Sequence, residues 1–72
     1  MYRVKWVVHR HEFQPVEVET SVHGDADVIV SCSIKKLPDM RTKHPDNPPD
    51  GFLVCDETGV EVRRWFRSTT TL

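Results

Sequence analysis

Seventy-two residues, 38% of them hydrophobic and 29% charged, make one small globular domain and leave no room for a second. Ten Lys and Arg against eleven Asp and Glu give a net charge of -1, so no global field draws the chain onto nucleic acid or an anionic membrane. Charges interrupt the early apolar stretch, which leaves neither a signal-peptide core nor a transmembrane span, and a cytoplasmic protein is expected.

The first element is Tyr2-Arg3-Val4-Lys5-Trp6-Val7-Val8, whose alternation puts Tyr2, Val4, Trp6 and Val8 on one face and Arg3, Lys5 and Val7 on the other. Val16-Glu17-Val18-Glu19-Thr20-Ser21-Val22 alternates in the same way, with its valines read as inward. Paired as a hairpin, these strands set Arg3 and Lys5 opposite Glu17 and Glu19 on the exposed side, a charge match that helps fix register.

From Gly24 to Arg41 two patterns compete. Val28-Ile29-Val30-Ser31-Cys32-Ser33-Ile34 has strand composition. At helical spacing, however, Ala26, Ile29, Val30, Ile34, Leu37 and Met40 fall within about 140° of arc. Asp25 is a good N-cap, Asp27 suits the N-terminal end of a helix, and Lys35 and Lys36 suit its C-terminal end. A sheet of two hairpins also needs a cover for one apolar face, which favours a helix over 26–37. Pro38 is expected to end or kink it near Leu37. The competing architecture is a small all-β barrel with residues 28–34 as a strand.

Four of the five prolines lie between Pro38 and Gly51, which reads as a stiff connector returning the chain to the sheet. The closing hairpin is the clearest signal: an apolar strand Phe52-Leu53-Val54-Cys55, an Asp56-Glu57-Thr58-Gly59 turn, and a second strand to Phe66. Residues 68–72 read as a flexible tail. The expected fold is a single α+β domain over 1–67, ββαββ, with a four-stranded, mainly antiparallel sheet and one helix on one face.

Function is less legible. Cys32 and Cys55 both lie in segments that look buried, and reduced thiols filling core space are expected. Apolar neighbours raise a thiol's pKa rather than activating it, and the carboxylates sit in turns, loops and strand edges, so no catalytic constellation stands out. His9 and His11 are the weak metal candidates, but no CxxC or HExxH spacing accompanies them and no cofactor is expected.

The lead is surface. With one helix to hide two apolar sheet faces, Trp65, Arg63, Arg67, Arg3, Lys5 and Val7 are read as sharing the uncovered face. Trp and Arg are the residue types most often found as interface anchors. That points to a non-enzymatic accessory protein acting on a protein partner, with self-association into a homodimer as one form. The alternative reading is single-stranded nucleic-acid binding through Arg63–Arg67, where aromatics interleave with cations. Both depend on the register of the last strand, because a bulge near Arg63-Arg64 would turn Trp65 inward.

Overall fold

The computed structural model describes residues 1–9 and 13–67, so His11 and the expected tail lie outside the described residues. Alternating sequence becomes strand where expected: β1 spans Tyr2–His9, β2 Phe13–Val22, β3 Gly51–Cys55 and β4 Glu61–Phe66. Between β2 and β3 lies one helix, α1, at Ala26–Lys43. The strands form an open sheet in the order β2-β1-β3-β4 with every neighbouring pair antiparallel. The fold is the ββαββ α+β domain expected from the sequence, and the barrel alternative is set aside because 28–34 is helical.

Burial decides the contest over that segment. Ala26, Ile29, Ser33, Leu37 and Met40 are the buried residues of α1 and lie on one stripe, while Val28, off that stripe, stays 55% exposed. Asp25 takes the extended N-cap conformation without a side-chain capping bond, and its carbonyl accepts from the Ile29 N–H at 2.9 Å.

One expectation is corrected. The helix does not end near Leu37 but runs through Pro38 to Lys43. An interior proline costs about 3 kcal/mol, and several contacts beyond it offset that cost. Met40 is 2% exposed in the core. The Arg41 guanidinium donates to the Pro49 carbonyl at 2.9 Å and reaches Asp50 Oδ1 at 3.4 Å. The connector is accordingly shorter than its prolines suggest, and its docking is specific. Pro49 is fully buried, the Asp50 N–H donates to the Val7 carbonyl, and the Arg67 N–H donates to the Asp50 carbonyl, each at 2.9 Å.

The core is an aromatic row across three strands. Trp6 pairs with Phe52 and Phe52 with Trp65, so all three rings share the face under α1. Their centroids lie 5.3 Å apart at 57° for Trp6–Phe52 and 5.9 Å apart at 23° for Phe52–Trp65. Val4, Val54, Ile29, Leu37 and Met40 complete the buried cluster. Trp6 Nε1 is buried with no hydrogen-bond partner among the described residues, a penalty of about 1–3 kcal/mol set against burial of the whole ring.

Candidate interaction surface

Strand pairing assigns each side chain to a face, and two irregularities change the assignment made from alternation alone. In β2, Trp6 pairs with Glu17 and Val7 with Pro15, which leaves Val16 as an extra residue. A second shift follows, since Val4 pairs with Glu19 and Tyr2 with Val22, and Ser21 in that stretch takes a left-handed φ of 58°. Glu17 and Glu19 therefore lie opposite Trp6 and Val4 on the helix side. They do not face Arg3 and Lys5 as the simple hairpin predicts.

Both glutamates are engaged there by α1. Glu17 Oε1 accepts from Lys43 Nζ and from His44 Nε2, each at 3.0 Å, and Glu19 pairs with Lys36. The bond from Lys43 and then that from His44 hold the Glu17 carboxyl below the usual carboxylate range. Beside this cluster an open cleft of about 410 Å³ is lined by Val8, Gln14, Pro15, Lys43, His44 and Asn47.

In β4 the irregularity lies one step earlier than the position considered in the sequence. Val54 pairs with Arg63 and Cys55 with Glu61, so Val62 is the bulged residue. Trp65 and Arg63 consequently face α1. Trp65 is half-buried against Phe52, and Arg63 Nε donates to Asp27 Oδ1 at 3.2 Å. Their placement on the uncovered face is corrected. Arg67 follows β4, exposed, with its N–H committed to Asp50.

The uncovered face is built from other residues. Across its middle runs the paired row Val18, Lys5, Leu53 and Arg64, and beside it lie Arg3 with Cys55 and Val7 with Gly51 and Phe66. Arg3, Lys5 and Val7 lie on the face where the sequence places them, but Val7 is buried there, a correction to its reading as an interface residue. Leu53 and Cys55 extend this face from β3, as alternation allows, whereas Val18, read as inward, and Arg64 and Phe66, read on the opposite face from Trp65, are corrections that follow from the irregularity at Val16 and the bulge at Val62. Leu53 and Phe66 are half-buried, Val18 is 44% exposed, and no element covers them among the described residues.

Gly51 is required at this face. A Cβ at that position would stand 2.2 Å from the Trp65 carbonyl oxygen and 2.6 Å from the Phe66 ring, so the ring occupies the space a side chain would take.

Arg64 is tied to its own strand, its guanidinium donating to both Glu61 carboxylate oxygens at 2.8 and 2.9 Å. The turn that presents this end is equally well fixed. Asp56 Oδ1 accepts from the Thr58 N–H at 2.9 Å, the Thr58 hydroxyl at 2.6 Å and the Val60 N–H at 3.0 Å, and the Thr58 hydroxyl leads in holding the Asp56 carboxyl below its ordinary pKa.

Among the described residues no group of three or more His, Cys, Asp or Glu side chains converges to hold a metal ion. Cys55 is buried as expected, but Cys32 is exposed on α1, a correction to the reading that both thiols fill the core. No helix of the described residues is long and apolar enough to cross a membrane. Comparison with protein-family models, curated proteins and solved structures found no significant match to this chain.

Proposed function

We propose that this chain is a small non-enzymatic interaction protein that engages a protein partner through the uncovered sheet face. The observation that supports it is the Val18–Lys5–Leu53–Arg64 row, where apolar side chains alternate with long cations on a face no helix covers. Such a mixture of a partly apolar centre and a charged rim matches the anatomy of transient interfaces. The contact set is revised from the sequence reading: Arg3 and Lys5 remain, Val7 drops out because it is only 1% exposed, and Leu53, Val18 and Arg64 take the place of Trp65 and Arg63. The nucleic-acid reading loses its stacking platform, because the indole of Trp65 is stacked on Phe52 beneath α1.

A site-specific photo-crosslinker tests this in the native cell. Placed at Lys5 or Arg64 it is expected to trap one protein reproducibly. Placed at the exposed helix positions Lys35 or Asp39 it is expected to trap none. Crosslinks from the helix positions alone, or from neither face, would overturn the proposal.

A further inference from the structure

The displacement of Glu17 and Glu19 to the helix side separates them from Arg3 and Lys5, the cations they were expected to neutralise. Arg3 and Lys5 make no ion pair among the described residues, whereas Lys36, Arg41, Lys43, Arg63 and Arg64 each do. Glu61 is the one carboxylate that strand register puts on the uncovered face among the described residues, and both of its oxygens are taken by Arg64. Among the described residues strand register therefore gives this face Arg3, Lys5 and Arg64 against Glu61, an excess of cations on a chain of net charge -1.

We infer that the partner of this face is an extended acidic polypeptide segment, an inference that rests on the proposed interaction role. Three features select that chemistry. Arg3 and Lys5 stand two residues apart on one face of β1, about 7 Å along the strand, the same spacing that separates alternate side chains of an extended peptide. Beside them Leu53 and Val18 offer apolar contact for the methylene stems of the acidic side chains, which lie on the same face of the peptide. β1 lies inside the sheet, paired on both sides, so the two cations are presented on a rigid support and lose little freedom on binding.

The same charges argue against a second copy. Two such faces laid together bring Arg3 and Lys5 against each other's cations, and like charges at an interface are unfavourable. A nucleic acid would satisfy the charge, but Trp65, the ring of the basic run, is on the other side, and the half-buried Phe66 lies against Gly51. The polypeptide is the occupant that fits both the charge and the apolar row.

Fluorescence anisotropy with the purified chain tests this using a labelled peptide of alternating glutamate and valine. The controls are a lysine-valine peptide, a glutamine-valine peptide and an oligothymidylate. The glutamate peptide is expected to bind, more weakly at higher salt, and to lose about tenfold in affinity in the Arg3→Gln/Lys5→Gln variant. Among the described residues these positions have no ion-pair partner to break, and circular dichroism checks that the variant is folded. Equal binding of the lysine or glutamine peptide, or no effect of the double variant, would overturn the inference. So would tighter binding of the oligothymidylate, or a concentration-dependent dimer that Lys5→Glu abolishes.

The crosslinking experiment separates the two levels. If the peptide fails while Lys5 still traps a protein, the acidic partner is wrong and the interaction face stands. If the crosslinks fail as well, both fall.

Discussion

In the β3–β4 hairpin the bulge at Val62 turns Trp65 onto the aromatic row beneath α1, whereas in the β1–β2 hairpin the irregularities around Val16 and Ser21 turn Glu17 and Glu19 toward the charged flank of the same helix. The device is shared, one extra residue that reverses a face, but its energetics differ. At β4 the reversed side chain is a large ring that loses water and gains a stacked neighbour. At β2 the reversed side chains are carboxylates on partly exposed ion pairs, which gain little net energy in a high-dielectric setting. One hairpin is held to the helix by packing and the other in good part by charge. The sheet should therefore respond to mutation mainly at its β3–β4 side and to solution conditions mainly at β2.

The largest test of that contrast is Gly51→Ala. The added methyl meets the Trp65 carbonyl oxygen and, at 2.8 Å, the Phe66 Cα, both backbone atoms that move only if β4 shifts off β3. A loss of about 3 kcal/mol is expected, at the upper end of ordinary overpacking. For a domain of this size that is a large part of the total stability, so urea unfolding should show a much reduced midpoint with a similar slope. A change under about 1 kcal/mol would mean that the β3–β4 pairing is looser than described.

Next in size is Trp65→Ala. Full truncation of a buried tryptophan costs about 3–5 kcal/mol, and half-burial brings the expectation to about 2 kcal/mol. Because packing rather than charge is lost, the penalty should be the same at low and high salt. A loss of partner crosslinking at Lys5 without loss of stability would instead return Trp65 to the interface and undo the corrected face assignment.

Much of this fold is legible in the sequence, and what is not shares one cause. Strand identities, the Asp56–Gly59 turn and the helix follow from period and capping, because each is a local pattern that tertiary contacts reinforce. The continuation of α1 through Pro38 is not local: it depends on Arg41 reaching the Pro49 carbonyl and on Met40 finding the core, partners remote in space until the chain folds. The faces of β2 and β4 go wrong for a related reason. Alternation assumes an unbroken pleat, and a single extra residue inverts everything beyond it. The candidate surface inherits both outcomes. Arg3, Lys5 and Val7 keep the face that alternation gives them because β1 pairs with β3 without a register shift, although Val7 is buried there, while Trp65 and Arg63 change face because they follow the bulge in β4. Cys32 illustrates the same limit on the helix, where an apolar neighbourhood in sequence did not mean a buried side in space.

The smallest expected effect probes the charged side of the comparison. Glu17 has its carboxyl pKa lowered by Lys43 and His44, so these contacts contribute stability above the ordinary carboxylate pKa of 4.5 and lose it as pH falls through the depressed folded value. Lys43 is 61% exposed and Glu17 28%, so solvent screening limits the contribution to about 1 kcal/mol. Glu17→Gln should cost that much at pH 7 and low salt, less at 1 M salt, and nothing once the wild-type carboxyl is protonated in acid. Hydrogen exchange should locate the loss, with β2 amides less protected and those of β3 and β4 unchanged. Equal loosening of both hairpins would mean that the ion pairs hold the whole helix in place and that β2 is no separate, charge-held edge. A penalty unmoved by acid or salt would assign Glu17 a packing role instead, and would also weaken the account of why Arg3 and Lys5 are left without their expected partners.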